Sequence, residues 1–245
     1  MKARRRKPSA AARIRPFWLL IGVAGVLAAA GLVALAAWPG FFPEGVTVVG
    51  NHRVSRAEIL ARAAIAARES IWIQSTGAMA RRIERIPYIG TAAVHRIPPA
   101  SLQIVVTERT PFADLRGPGG DALADRDLRV LEPAGEPTGL PIFIVSSSTP
   151  FEPGSYVANA QTLRLRDAYE RLAAHGILAS QLQVDRFGGL IVTIRGGMRL
   201  LLGDGNDLDR KIVLANAILA QVVPRQRRVA AIDLRAPAAP VLVYR

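Results

Sequence analysis

The stretch Phe17–Trp38, FWLLIGVAGVLAAAGLVALAAW, contains 22 consecutive residues without a charged side chain. As an α-helix it would be about 33 Å long, which matches a hydrocarbon core of roughly 30 Å. A helix also satisfies its own backbone polar groups, as lipid requires of a single span. Trp18 and Trp38 stand at the two ends, where indole rings favour the headgroup zone. We therefore expect one transmembrane helix, with membrane lipid as a partner of Phe17–Trp38.

The charges beside this stretch predict its orientation. Residues 1–16 hold seven Lys and Arg side chains, and the first acidic residue is Glu44. Positive flanks stay in the cytoplasm, so we expect a cytoplasmic N-terminus and a periplasmic C-terminal part on the inner membrane. The alternative is a cleaved signal peptide, because Ala34-Leu35-Ala36 has the small-x-small pattern of a cleavage site. The apolar region of such a peptide is usually only about 7–15 residues long.

The composition excludes several classes of function. The net charge is +13, but beyond the basic tail the chain has 25 basic and 19 acidic residues, a net charge of +6. No basic stripe interleaved with aromatic residues is present, so we expect no nucleic-acid partner. The absence of cysteine excludes disulfides and thiol chemistry.

Residues 41–110 show the pattern of a small domain. Ser55 and Glu58 have the spacing of a capping box, and Gly50-Asn51 tolerates a turn with positive φ. The predicted elements are strand Val46–Val49, a helix from Ser55 to Ala64, a helix near Ala78–Ile86 ended by Pro87, and strands Ile89–Ile97 and Ser101–Glu108. Two helices on one face of a three-stranded sheet would enclose one core.

Residues 111–245 predict a second, mainly antiparallel sheet with two helices. Glycine pairs at 188–189 and 196–197 suit tight hairpin turns, and Gly176 suits a helix end. The predicted helices are Ala158–His175 and Leu208–Val222, the latter capped by Asp207. The predicted strands lie around Asp114–Arg116, Leu128–Leu131 and Leu140–Val145, and at Leu182–Phe187, Leu190–Arg195, Met198–Leu202, Val229–Leu234 and Val241–Tyr244.

These residues resemble the FtsQ/DivIB family of bacterial division proteins. In residues 41–110 the resemblance to its POTRA domain rests on Val46–Asn51, Ser55–Leu60, Pro87-Tyr88-Ile89 and the strand ending Glu108-Arg109-Thr110-Pro111. In the second region it rests on Leu202-Gly203, Lys211 and Ile232-Asp233-Leu234-Arg235. The loop at Ala124–Leu128 lacks the glycine of the family's Asp-x-Asp-Gly pattern.

The sequence gives little support to an enzyme, a cofactor site or a metal site. His52, His95 and His175 belong to no two-histidine metal motif. Gly203–Asp207 resembles part of a calcium loop, but Leu208 occupies a required ligand position, so a turn and helix cap is the better interpretation. Asp125 and Asp127 fall on a predicted loop, where we expect solvated carboxylates.

The functional hypothesis is therefore that the chain binds another protein. Val241–Tyr244 is apolar, and if it lies at a sheet edge another extended chain can pair with it. The alternative is an internal strand paired on both sides. The resemblance implies strand addition by FtsB, from an FtsB–FtsL pair, at Leu242, Val243 and Tyr244. Arg235 and Arg186 would flank the site and contact acidic residues of the partner.

We thus expect an α+β protein with a basic tail (1–16), a transmembrane helix (17–38), a POTRA domain (41–110, βααββ) and a β domain (111–245). The resemblance implies a non-catalytic, single-pass inner-membrane scaffold at the division septum that links the FtsB–FtsL pair to septal peptidoglycan synthesis. It leaves open other divisome members as further partners. The alternative is a POTRA module of an outer-membrane protein translocation or assembly system.

Overall fold

The computed structural model describes residues 10–135, 137–222 and 229–244, with side chains from residue 20 onward. Residues 1–9 of the predicted basic tail and the side chains of Phe17 and Trp18 lie outside this description. The chain divides into two compact units. The first holds the described residues up to Glu84 together with Thr91–Thr107. The second holds Arg85–Gly90 and the described residues from Glu108 onward.

The first unit begins with helix α1 (Ala10–Ala36), followed by a short 3-10 helix at Pro39–Phe41. Pro39 has the fixed φ that suits the first position of this short helix, and, because proline lacks a backbone N–H, it does not continue the hydrogen bonds of α1. Within the described part of the chain, no helix is both long and apolar enough to cross a membrane.

Helices α2 (Arg56–Ala63) and α3 (Thr76–Ile83) follow. The hydroxyl of Ser55 accepts a hydrogen bond from the Glu58 backbone N–H and so caps α2, as predicted. The sequence pattern placed α3 too late, since it begins at Thr76 under a cap from Ser75 that the pattern did not reveal. It also ends at Ile83, before the predicted Ile86.

Strands β1 (Gly45–Val49), β2 (Ile89–Ile97) and β3 (Ser101–Glu108) form the first sheet, in the order β1, β3, β2. The predicted order of strands and helices is therefore confirmed. Strands β1 and β3 run parallel, with Gly45 opposite Ser101 and Val49 opposite Val105. Leu102 of β3, Met79 of α3 and Ile71 form a small buried cluster.

The second unit is built on one nine-stranded sheet. Its strands are β4 (Ala113–Gly117), β5 (Gly120–Ala124), β6 (Val130–Pro133), β7 (Ile142–Ile144), β8 (Ala179–Val184), β9 (Leu190–Ile194), β10 (Arg199–Gly203), β11 (Val229–Asp233) and β12 (Val241–Tyr244). Their order across the sheet is β12, β11, β10, β9, β8, β7, β4, β5, β6. Five of the eight neighbouring pairs are antiparallel, so the sheet is mainly antiparallel, as predicted.

Helices α4 (Ala160–Ala174) and α5 (Leu208–Val222) share a core with one face of this sheet. A row of apolar side chains crosses that face from strand to strand. It runs through Ala122, Leu115, Phe143, Leu182, Val192, Leu200, Ile232 and Leu242. The first seven are buried, whereas Leu242 is only partly buried and packs against the same core. The hydrophobic row thus reaches the sheet edge and stops there.

Candidate functional site

Strand β12, the predicted binding strand, lies at one end of the nine-stranded sheet. It pairs antiparallel with β11 along one side. None of the other described strands pairs with its second side, so the structure places Val241–Tyr244 at an edge and not between two strands. An edge strand presents a row of backbone donors and acceptors to which another chain can pair.

At the opposite edge of the sheet, the first residue of strand β6 pairs with another part of the chain. The backbone N–H of Val130 donates to the Ser155 carbonyl at 2.9 Å, and the N–H of Gly154 donates to the Val130 carbonyl at 2.8 Å. Pro133 at the end of β6 has no N–H to offer. Among the described residues, no segment pairs with the outer side of β12, so this edge is the better candidate for a partner.

Sheet register shows which backbone groups of β12 face outward. The N–H of Leu234 donates to Leu201 of β10, so by alternation Asp233 and Ala231 direct their groups toward β12. Their register partners are Val241 and Val243, whose N–H and C=O groups therefore face β11. The next alternation turns the N–H and C=O of Leu242 away from β11. Leu242 is thus the central outward-facing residue of this edge.

The side chains of β12 divide between the two faces of the sheet. Leu242 joins the hydrophobic row beside the helices. Val241 and Val243 lie on the other face and remain 55% and 44% exposed. Tyr244 is half exposed. The strand consequently offers apolar side chains on both sides of its backbone edge.

Arg235 follows β11 and makes a bidentate ion pair with Asp233. Its Nε lies 3.0 Å from both carboxylate oxygens of Asp233, and its Nη2 lies 2.5 Å from Oδ2. The hydrogen bond from this guanidinium lowers the pKa of the Asp233 carboxyl. Because Asp233 is the register partner of Val241, this ion pair lies beside the start of β12.

Arg186, the second predicted flanking residue, lies in the turn between β8 and β9. Its guanidinium carbon is 4.7 Å from the ring centroid of Phe187, a residue that is 82% exposed and that the sequence pattern did not single out. Register across β9 and β10 places this turn at the same end of the sheet as Arg235. The turn and the start of β12 therefore share one surface.

Asp185 fixes the shape of that turn. Its Oδ1 accepts hydrogen bonds from the backbone N–H groups of Gly189, at 2.7 Å, and Phe187, at 2.8 Å. These two bonds, with smaller contributions from the charges of Arg235 and Arg164, lower the pKa of the Asp185 carboxyl. A carboxylate thus orients the turn that carries Arg186.

The described residues give no support to a metal site. Among them, no three His, Asp or Glu side chains converge to hold a metal ion. In the loop that resembles a calcium site, Asp204 accepts from the backbone N–H and side-chain amide of Asn206. The expectation of two solvated loop carboxylates was wrong for Asp125, which is buried. Asp127 is exposed.

Two family models match the chain in succession. The POTRA domain of FtsQ type matches residues 43–109, and the C-terminal domain of the cell division protein FtsQ/DivIB matches residues 115–235. The chain belongs to the FtsQ/DivIB family. Membership of this family of cell division proteins is consistent with the expectation that the chain is not an enzyme.

Several similar proteins carry the name Cell division protein FtsQ. The relative from Myxococcus fulvus is 30% identical over 195 residues, which cover 72% of this chain and 65% of that protein. The relative from Neisseria meningitidis serogroup B is 26% identical over 220 residues, covering 89% and 88%. The relative from Mycobacterium tuberculosis H37Rv is 27% identical over 221 residues, covering 88% and 67%.

The FtsQ-like motif of the second unit forms one set of contacts around the end of β10. The buried Lys211 donates from Nζ to the Leu202 carbonyl at 2.8 Å and lies 3.6 Å from a carboxylate oxygen of Asp204. Gly203 has φ +70°, and a Cβ there would lie 3.3 Å from the Arg235 side chain. These motif residues thus hold β10, α5 and the end of β11 together, close to the candidate edge.

The FtsQ-like Glu-Arg-x-Pro motif at 108–111 is also explained by contacts. Arg109 Nη1 lies 2.5 Å from Oδ2 of Asp125 and 3.0 Å from Oδ2 of Asp127. The other oxygen of Asp125 accepts the backbone N–H of Arg129 at 2.8 Å. Burial of Asp125 is therefore compensated by an ion pair and a hydrogen bond, which a sequence pattern of loop carboxylates does not reveal.

Proposed function

We propose that this chain is a non-catalytic scaffold of the bacterial division machinery, which works by pairing the free edge of β12 with a strand of another division protein. Membership of the FtsQ/DivIB family supports the cellular role. The observation that supports the binding mechanism is that no other described strand pairs with the outer side of β12, where Leu242 directs its N–H and C=O outward. At the opposite edge, Ser155 and Gly154 already occupy the backbone groups of Val130.

The proposed partner is an FtsB–FtsL-like pair, with the FtsB-like protein supplying the added strand. A strand beside β12 would exchange hydrogen bonds with Leu242 and would bring an apolar side chain beside it, extending the hydrophobic row past Ile232 and Leu242. Other divisome members are further candidates. Through these contacts the chain would connect the pair to septal peptidoglycan synthesis.

Arg235 and Arg186 would contact acidic residues of the same partner. Both stand at the end of the sheet where β12 begins, and the Arg235 side chain is 64% exposed although it is paired with Asp233. Surface ion pairs contribute little affinity, about 0–1 kcal/mol each, but they favour the correct partner and accelerate its association. Arg235 would therefore act more on selectivity than on the lifetime of the complex.

Residues 17–38 would anchor this scaffold in the inner membrane as a single span, with the N-terminus cytoplasmic and the rest periplasmic at the septum. The 22 uncharged residues and the basic residues before them support this arrangement. We further propose domain limits at 1–16 for the tail, 41–110 for the POTRA domain and 111–245 for the β domain.

A pair of substitutions at one position tests the mechanism. Leu242→Ala shortens the side chain but keeps the outward N–H, whereas Leu242→Pro also removes that donor. Co-purification of the full chain with FtsB- and FtsL-like proteins from the same bacterium measures the difference. We expect the proline variant to bind about tenfold or more weakly than the alanine variant, because a partner carbonyl left unpaired costs about 1–3 kcal/mol.

Equal binding by Leu242→Pro and Leu242→Ala would reject strand addition at β12. Capture of the pair by neither variant nor the unchanged chain would reject the partner assignment itself. Depletion of the protein in cells tests the cellular role, for which we expect filamentous cells that fail to divide.

A further inference from the structure

Exposed apolar side chains in the first unit gather at one end. Trp38, Trp72, Ile73 and Ile97 are each 46–62% exposed, and we call these four residues the apolar patch. Single exposed hydrophobic residues are common on soluble domains, so each alone would need no explanation. These four residues are of interest because they lie near the end of α1.

The loop that carries Trp72 is fixed to the segment that leaves α1. The backbone N–H of Ile71 donates to the Phe41 carbonyl at 2.9 Å, and the rings of Phe41 and Trp72 meet edge to face with centroids 6.4 Å apart. Phe41 lies five residues after Ala36, the last residue of α1, so it stands at most about 18 Å from the helix end. Trp72 and Ile73 therefore remain near that end.

Polar contacts hold this loop in one conformation. Arg96 donates from Nε to the Ile71 carbonyl at 2.6 Å and from Nη2 to the Gln74 carbonyl at 2.7 Å. Its guanidinium carbon also lies 5.9 Å from the Trp72 ring centroid. The buried side chain of Gln74 bonds to both backbone groups of Ala66. The exposed indole is thus positioned by its neighbours.

Ile97 reaches the same end from the other side of the sheet. It precedes the turn to β3, and the N–H of Glu44, just before β1, donates to the carbonyl of Ala100 in that turn at 2.8 Å. The remaining exposed large hydrophobic residues of this unit beyond α1, Val49 and Val105, face each other at the far end of β1. That end is about 13 Å along the strand from Gly45.

We propose that the apolar patch contacts the lipid surface around the anchor, at headgroup depth, and that this contact holds the first unit with the start of β1 toward the membrane. Tryptophan favours this zone. The exposed Glu44 and Glu69 close to the patch keep the contact shallow, because carboxylates avoid the hydrocarbon core. The inference rests on the proposed membrane anchor at residues 17–38.

Quenching of tryptophan fluorescence by brominated lipid tests the contact in the full chain reconstituted in vesicles. Trp18→Phe with Trp38→Phe leaves Trp72 as the reporter. The matched control replaces Trp72 with Phe as well and adds Val49→Trp at the far end of β1. With bromine on the upper part of the acyl chains, an indole at headgroup depth lies closer to the quencher than one at the far end of β1, so we expect Trp72 to lose clearly more emission than the tryptophan at position 49.

A third variant, retaining Trp18 alone, separates the two proposals. If Trp18 is quenched while Trp72 and position 49 are quenched equally little, the anchor stands and the lipid contact is overturned. The patch would then face protein or solvent. If Trp18 is not quenched, the anchor itself is overturned, and the lipid contact with it. Circular dichroism of each variant confirms that the fold is retained before quenching is compared.

Discussion

The register of β12 predicts opposite effects for proline at two adjacent positions. Val243 directs its N–H toward Ala231 of β11, whereas Leu242 directs its N–H outward. Val243→Pro should therefore break a hydrogen bond within the chain, and Leu242→Pro should not. The same two substitutions should act in the reverse order of severity if the strand were shifted by one residue, because a one-residue slip exchanges the two faces.

The magnitude follows from the burial of the partner group. Ala231 is 3% exposed, so its carbonyl would lose its hydrogen bond without gaining water, at a cost of about 1–3 kcal/mol. Leu242→Pro mainly shortens a partly buried side chain, for which we expect a cost of about 1 kcal/mol. Leu242→Ala should cost a similar amount. Val243→Pro should accordingly be the least stable of the three by about 1–2 kcal/mol.

Urea unfolding of the full chain in detergent, followed by circular dichroism, measures this order. With a slope of roughly 2 kcal/mol/M, the difference corresponds to a shift of about 0.5–1 M in the midpoint. Val243→Ala serves as the matched control, since it keeps the N–H. If Val243→Pro unfolds at the same urea concentration as Leu242→Pro, the assignment of inward and outward groups is wrong, and the proposed binding geometry fails with it.

Substitutions at three further positions test other parts of the structure. Gly50→Ala places a Cβ 2.1 Å from the Val106 carbonyl oxygen at a residue with φ +89°, so we expect a loss of at least about 2 kcal/mol in urea unfolding. Asp185 has a lowered pKa in the folded chain, so its stabilising effect is present above the unfolded pKa of about 3.9 and is lost as pH falls through the folded value. The stability difference between the unchanged chain and Asp185→Asn should thus shrink from pH 5 to pH 2. Lys211→Ala leaves the Leu202 carbonyl without its charged donor and should cost about 2–3 kcal/mol, whereas Lys211→Arg should recover part of this loss.

Local elements could be predicted where short-range chemistry decides them. The bounds of β12 and α5 coincide with the prediction, since apolar runs between turn-forming residues leave few alternatives. The cap at Ser55 was predicted for the same reason. The start of α3 was not, because Gly77 in its first turn weakens the helical signal that Ser75 would otherwise open.

The candidate edge depended on information that a sequence pattern lacks. The sequence of Val241–Tyr244 is compatible with both an internal strand and an edge strand. Only the order of the nine strands shows that it lies at the edge. The pairing of Val130 in β6 with Ser155 arises from a loop more than twenty residues away in sequence. Phe187 was missed because an exposed aromatic residue in a hairpin turn has no periodic signal.

Backbone pairing at β12 cannot by itself hold a partner. Leu242 offers one N–H and one C=O, and two hydrogen bonds contribute only about 1–3 kcal/mol, whereas even millimolar binding requires about 4 kcal/mol. The remaining free energy has to come from side chains beside the edge. Val241 and Val243 supply apolar area on one face, and Phe187 supplies an exposed ring at the end where the strand begins. If the proposed partner strand does pair with Leu242, we therefore expect the partner to make further contacts beyond the four-residue strand, with the exposed side chains at the end of the sheet that carries Arg235 and Arg186.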